Sequence, residues 1–213
     1  MQWEDWKEKD GSKIVAGGKA STLAVKFAPS TTAQLLDIGS GNGLFIQAIS
    51  SSSLSITAAD LDNFLSPEAG KRSSAFVKLN IDEAWPVANA SVDMITMWNV
   101  LEHAENPAHV LREADRVLLP GGVFIFSMPN IFNLKNRLYF LRTGEMRRFR
   151  GTNSHIAILT ATVLKKLYKK YFECLEVGYA AVDRVWGGGV VQKILPENRL
   201  FGHTIYYVLK KKP

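Results

Sequence analysis

A few short stretches of the chain carry groups that could do chemistry. The first is Asp37-Ile38-Gly39-Ser40-Gly41-Asn42-Gly43, where glycines alternate with small polar residues. Glycines let a backbone turn sharply and come close to a ligand, and the free amides of a helix that follows would face an anion. Asp60 stands 23 residues after Asp37, where a carboxylate can accept hydrogen bonds from both hydroxyls of a ribose. Asp82, in Leu79-Asn80-Ile81-Asp82, adds a second acid. His103, in Leu101-Glu102-His103, titrates near neutral pH and could accept a proton from a reacting hydroxyl. A histidine that merely packs at a helix start would look the same. His155 sits on a polar stretch before a late helix and could orient a substrate, whereas Cys174 lies in an apolar stretch and reads as a structural thiol. With one cysteine and four histidines there is no cysteine-based zinc framework, and no metal ligand is assigned.

The elements that must carry these groups follow from the apolar runs. Gln34–Ile38, Leu54–Ala59, Ala75–Leu79, Val92–Trp98 and Gly122–Met128 are apolar at nearly every position, as strands buried on both faces of a parallel sheet must be. Between the last two, Pro107–Leu118 repeats apolar residues at helical spacing, with Asn106 placed to cap it. Pro120-Gly121-Gly122 ends that helix. Strand-helix-strand rhythm of this kind predicts right-handed crossovers and an α/β, Rossmann-like doubly wound sheet with helices on both faces. Pro129–Ile158 reads as irregular, basic and aromatic; Thr160–Tyr171 reads as a helix. Cys174–Val185 and His203–Lys210 then read as an antiparallel pair at the sheet edge, giving seven strands. On this sheet the glycine loop, Asp60 and Asp82 share one rim, an arrangement suited to an adenosine with a short zwitterionic tail. Asp37 would repel a pyrophosphate, and Leu44 stands where the third glycine of a nicotinamide-binding loop would fall.

The length of 213 residues, with 46% hydrophobic and 22% charged content, matches a single packed domain. No apolar run approaches a membrane span, the first ten residues are polar, and a lone cysteine suits a reduced, cytoplasmic setting. The net charge of +6 is uneven, because six basic residues against Glu145 between Lys135 and Arg150 give a local +5. That segment also holds aromatic side chains and reads either as a solvated cap or as a surface that recruits an anionic ligand. It is thin for a nucleic-acid footprint.

Three stretches resemble the class I S-adenosylmethionine-dependent methyltransferases, in particular the small-molecule group (methyltransferase 11/23-like) that includes ubiquinone and menaquinone pathway enzymes. They are Leu36–Gly43, Asn80–Asp93, and Trp98-Asn99-Val100-Leu101-Glu102-His103 through Arg116–Gly122. The resemblance implies that Asp37, Gly39, Ser40, Gly41 and Gly43 hold the methionine end of the donor, Asp60 the ribose and Asp82 the adenine amino group. It also implies that Leu61 and Ile81 sandwich the adenine and that Asn99 lies near the methionine portion. Ser40 stands where a cysteine or another small residue is common, and residues 63–74, with Pro67 and Gly70, are too broken for a full helix. The Asp/Asn-Pro-Pro-aromatic motif of exocyclic-amine methyltransferases is absent at Asn99-Val100-Leu101.

The resulting expectation is one methyltransferase domain over 1–213, with an N-terminal helical cap over 1–30, in which Trp3 and Trp6 pack, and a donor-binding core over 34–128. An acceptor-side insertion over 129–158 and a late helix with two edge strands over 159–213 complete it. The chain would move a methyl group from S-adenosylmethionine, leaving S-adenosylhomocysteine, to a small or medium acceptor of anionic, lipid-like or sugar-like character. A methyltransferase-fold module that binds a nucleoside or a partner without turnover is the alternative.

Overall fold

The computed structural model describes residues 18–29, 32–49, 54–182 and 195–213. Trp3 and Trp6 lie outside them. In chain order the elements are α1 (Lys19–Phe27), β1 (Ala33–Ile38), α2 (Leu44–Ala48), β2 (Leu54–Asp60), α3 (Pro67–Arg72), β3 (Ala75–Lys78) and β4 (Val92–Trp98). A 3-10 turn (Leu101–His103), α4 (Pro107–Val117), β5 (Leu118–Pro129), α5 (Leu134–Thr143), α6 (Ala161–Tyr168), β6 (Phe172–Val182) and β7 (Gly202–Lys211) follow.

The seven strands form one sheet in the order β3-β2-β1-β4-β5-β7-β6. The first five run parallel, while β7 runs antiparallel to both β5 and β6. The expected seven-strand, mostly parallel sheet is therefore present, with its antiparallel pair at one end. Successive side chains in a strand point to opposite faces, so a sheet covered on both sides buries both sets. Leu36, Ile95 and Phe124 enter one core with Val110, Leu111 and Leu164; Leu35, Met94 and Ile125 enter the other with Phe45, Ile46 and Ala24. The strand order reverses between β1 and β4, which opens a crevice beyond the carboxyl ends of the strands.

Two segments depart from the sequence reading. Between β3 and β4 the expected alternation fails, and the chain crosses in turns without a helix. Trp85 takes the helix's place: its ring is buried, its backbone amide donates to Glu113 Oε2 at 2.8 Å, and Arg116 Nη2 donates to its carbonyl at 3.0 Å. One large side chain clamped by α4 thus covers the sheet where an amphipathic helix would have.

The second departure is α5, inside the segment read as irregular. Asn133 caps it, accepting from the Asn136 amide at 2.9 Å, and Gly144 closes it in a left-handed conformation at φ 73°. Its polarity is inverted. Asn136 faces inward and donates to the Asn130 carbonyl at 2.7 Å, while Leu138, Phe140 and Leu141 are exposed. A helix that buries an amide and exposes leucines gives no apolar stripe to read. Helix α3 is short, as Pro67 and Gly70 imply. Among the described residues no helix is long and apolar enough to cross a membrane.

Replacing Trp85 with alanine would empty this covering and remove the indole N–H bond to the Ile81 carbonyl, while the backbone bonds to Glu113 and Arg116 keep their atoms. Urea titration of Trp85→Ala should show a loss of about 3 to 5 kcal/mol, the range for deleting a buried aromatic ring. A loss under about 1 kcal/mol would mean the indole is dispensable to the crossover.

Candidate functional site

The glycine loop leaves β1 at the strand-order reversal. The amides of Gly39 and Ser40 donate to the Ala59 carbonyl at 2.8 and 3.2 Å, which pins the loop to β2. Gly39, Gly41 and Gly43 all have positive φ, at 72°, 51° and 80°. Two of them are required by packing as well: a Cβ on Gly39 would lie 2.3 Å from Val100 Cγ2, and one on Gly43 2.2 Å from Ala69 Cβ. Gly41 differs, because a Cβ there would meet nothing within 4 Å. The loop is closed against protein at both ends and open in the middle.

Asp60 braces that opening. Its Oδ2 accepts from the Gly41 amide at 2.8 Å and its Oδ1 from the Leu61 amide at 2.7 Å. Burial still outweighs these bonds and raises its pKa. Asp37 is more extreme. Thr96 Oγ1 donates to its Oδ1 at 2.7 Å across β1 and β4, but Oδ2 is buried without a hydrogen-bond partner among the described residues. Burial pushes this carboxyl up to about 7, with Thr96 opposing and the charge of Asp60 adding to the rise. Ser40 Oγ is likewise buried and without a partner.

The remaining predicted residues line the same rim. Leu61 is 51% exposed directly after β2, and Ile81 is half-buried against the core. Asp82 is partly occupied, since its Oδ1 accepts from the Asn106 amide at 3.0 Å at the start of α4. Asn99 has φ 57°, and its position is fixed by Ser127, whose Oγ donates to Asn99 Oδ1 at 2.8 Å. Leu44, the residue that distinguishes this loop from a nicotinamide-binding one, opens α2.

His103 lies on the turn after β4, with Nδ1 2.7 Å from Ser154 Oγ. For His155 the fold gives a different setting from the polar one that its place before the late helix suggests. It is buried, with its ring edge-on to His103 at 4.8 Å and to Phe149 at 5.5 Å. Burial lowers its pKa, and the nearby charge of Arg148 acts in the same direction against the hydrogen bond to the Arg148 carbonyl. Glu102, which the sequence reading quoted only within a motif, is fully buried beside both histidines. Only the fold could show this, because the two halves of the cluster are far apart in the chain. Cys174 is half-buried on β6 and packs against the core, consistent with a structural thiol.

A doubly wound sheet with a strand-order reversal, a three-glycine turn and buried acids on its rim defines the methyltransferase class of α/β fold. Solved structures agree on the fold. A SAM-dependent methyltransferase from Thermotoga maritima has a TM-score of 0.64 at 18% identity, covering 92% of this chain and 89% of that one. Another from Archaeoglobus fulgidus has a TM-score of 0.60 at 16% identity, covering 91% and 93%. The family model described as a methyltransferase domain matches residues 17–176, and the chain belongs to that family. Among curated relatives, a ubiquinone biosynthesis O-methyltransferase from Paracidovorax citrulli is 28% identical over 110 residues, which is 48% of this chain and 46% of the relative. Its counterpart from Xanthomonas oryzae pv. oryzae is 32% identical over 104 residues, 46% of this chain and 44% of the relative. These alignments span less than half the length of either relative. S-adenosylmethionine is the cofactor that the family and the fold neighbours imply.

Asp37 supplies a pH test. A carboxyl whose folded pKa is raised contributes stability that is fully present below its unfolded value of 3.8 and is lost as the pH rises through about 7. The urea midpoint of the native chain should therefore fall between pH 5 and pH 8. Asp37→Asn, which cannot ionise, should remove much of that slope. Equal slopes in the two proteins would mean that Asp37 ionises in its ordinary range.

Proposed function

We propose that the chain transfers a methyl group from S-adenosylmethionine to a small, anionic and amphiphilic acceptor. The observation that carries the donor half is Asp37 Oδ2, a buried carboxylate oxygen with no hydrogen-bond partner among the described residues, beside a left-handed glycine loop. An α-ammonium group is the complement such an oxygen lacks, and a cation there would restore the ionised form. Asp37 and the loop from Gly39 to Gly43, with Ser40, would hold the methionine end. Asp60 keeps lone pairs beyond its two amide bonds for the ribose hydroxyls. Leu61 and Ile81 would flank the adenine, Asp82 would offer its second oxygen to the amino group, and Asn99 would sit beside the methionine portion.

The bound donor supplies an electrophilic methyl on a sulfonium. The protein's part is alignment and exclusion of water, since in-line displacement needs little covalent help. His103 is placed to accept the acceptor's proton, with Ser154 orienting the ring through Nδ1. Residues 34–128 would bind the donor, 129–158 shape the acceptor side and 159–213 complete a single domain, while most of the expected cap over 1–30 lies outside the described residues. A cavity of about 350 Å³, lined by Met128, Phe132, Thr160, Tyr179 and Arg199 among others, lies beyond the end of β5. Its arginine sits over the Phe132 ring at 5.7 Å, which suits an acceptor with an acidic group on an apolar frame. The exposed Leu138, Phe140 and Leu141 on α5, among the basic residues of that segment, support the same chemistry. The relatives named for ubiquinone biosynthesis favour a small acceptor over a macromolecule. A non-catalytic module is not favoured, because it would need neither a histidine on the rim nor an acceptor cavity.

Calorimetry should detect S-adenosylmethionine and S-adenosylhomocysteine but not NAD. Asp60→Ala should weaken both by about 1.5 to 3 kcal/mol, the range for hydrogen bonds to a charged group. Unchanged affinity would place the ribose elsewhere, and NAD binding alone would overturn the proposal. Once an acceptor is found by labelled-methyl uptake, His103→Ala should lower kcat while donor affinity stays near that of the native protein. Full-rate turnover would remove His103 from the reaction.

A further inference from the structure

Among the described residues that line the cavity beyond β5, Arg199 is the one charged side chain. Its guanidinium makes no ion pair with a described residue, and Glu197, the acid of the same loop, is taken up by Lys19 at 3.2 Å. Tyr207 lines the same cavity with 4% of its surface exposed, and no hydrogen bond joins its hydroxyl to another described residue. Resting on the reading of this cavity as the acceptor's, we propose that Arg199, the Tyr207 hydroxyl and the first amides of α6 bind the carboxylate of a small monocarboxylic acid, with Arg199 setting the specificity for it.

Each of these groups gives a proton to a hydrogen bond. A guanidinium is donor only. The first amides of a helix have no intrahelical acceptor and carry the positive end of its dipole. Ala161 and Thr162 hold those positions in α6 and both line the cavity, whereas the Val163 amide is already taken, donating to Thr160 Oγ1 at 3.3 Å. Burial pushes the Tyr207 phenol up, and the neighbouring phenols of Tyr179 and Tyr168 add to the rise, so the hydroxyl keeps its proton. The charge count then selects the anion. One guanidinium balances one negative charge, which a carboxylate carries. A phosphate monoester carries about −1.5 to −2 at neutral pH and would leave excess charge in a largely apolar cavity.

The chain also fixes these groups in place. Buried Asn130 donates through Nδ2 to the carbonyls of Arg199 and Gly202 at 2.9 and 2.8 Å, and its Oδ1 accepts from the Phe132 amide at 3.1 Å. One side chain thus sets the loop that carries the cation against the ring the cation lies over, at 5.7 Å. That loop has little room to slip, since a Cβ on Gly202 would lie 2.7 Å from Tyr179 Cβ. The Tyr207 ring is held in turn by stacking on Phe126 at 5.3 Å. A volume of about 350 Å³ is near the low end of the roughly 300 to 1,000 Å³ of ligand sites, so the frame behind the acid is one or two rings or a short chain, not a long lipid tail.

The test uses 2-naphthoate, the uncharged 2-naphthamide of the same shape and 2-naphthyl phosphate, each titrated by calorimetry into the full-length protein with and without S-adenosylhomocysteine. The native chain should bind the naphthoate about 10- to 100-fold more tightly than the amide, the range for hydrogen bonds to a charged group, and more tightly than the phosphate. Arg199→Gln should erase that preference, Arg199→Lys should restore part of it, and Tyr207→Phe, which keeps the ring, should lower it. Arg199 is exposed, so its variants leave the core intact and decide the matter should Tyr207→Phe fail by circular dichroism. Equal affinity for acid and amide, binding of none of the probes, or an unchanged preference in Arg199→Gln overturns the proposal, and tighter binding of the phosphate overturns the carboxylate. The heat of S-adenosylhomocysteine binding on the same samples keeps the two readings apart. Its binding without an acid preference sinks the acid end and leaves the donor site standing, whereas an acid preference without its binding supports the acid end and removes the donor reading.

Discussion

The contact between Gly39 and Val100 is the constraint on which the rim depends. Val100 Cγ2 occupies the space a Cβ on residue 39 would need, and Gly39 has a φ that side chains rarely adopt. An alanine there would have to push the turn after β4 away, and that turn carries Asn99, Glu102 and His103. Loop and turn are thus one packed unit at the point where the strand order reverses. A displacement of either would be felt by the other, because close-packed interiors shift as blocks rather than deform smoothly.

That unit extends to the other half of the chain. Through its carbonyl and side chain, the Leu101–His103 turn meets the loop from Arg148 to Ala157, and that loop leads into α6. Ser127, next to the cavity beyond β5, fixes Asn99 on the same rim. The elements assigned to donor and acceptor are therefore joined by hydrogen bonds of 2.7 to 3.0 Å rather than by surface contact alone. Such coupling suits displacement chemistry, where angle and separation of the reacting atoms matter more than any single functional group.

How much of this could be read from sequence follows from the physics of each element. Buried parallel strands announce themselves as continuous apolar runs, so β1, β2 and β4 were placed to within a residue, and Asn106-Pro107 marked the start of α4. Strand β5 was placed late, because Pro120-Gly121-Gly122 reads as a stop while its backbone already pairs as strand from Leu118. Helix α5 was hidden by its inverted polarity, and Trp85 gave no periodic signal because one side chain does the work of a helix. The glycine loop was legible since its spacing is a local requirement. The pairing of Glu102 with His155 was not, since contacts across long loops leave no local pattern. The setting of His155 is hidden for the same reason: its ring packs on Phe149 and His103, neither of which its neighbours in sequence reveal.

The acids on the rim bear on why this fold holds together as it does. Asp37 occupies an interior strand position where a leucine would add apolar burial, and one of its oxygens lacks a hydrogen-bond partner. An unsatisfied buried acceptor costs about 1 to 3 kcal/mol, a notable share of the roughly 5 to 15 kcal/mol that stabilises a domain. Thr96 recovers part of that, and Asp60 close by makes it worse. Nothing in the packing of β1 against β4 requires a carboxylate there. Under the proposed function, a cationic group reaching Asp37 Oδ2 would account for the residue. Binding would then supply the partner that Asp37 Oδ2 lacks among the described residues, and ligand affinity and folding stability would be coupled through the same atom.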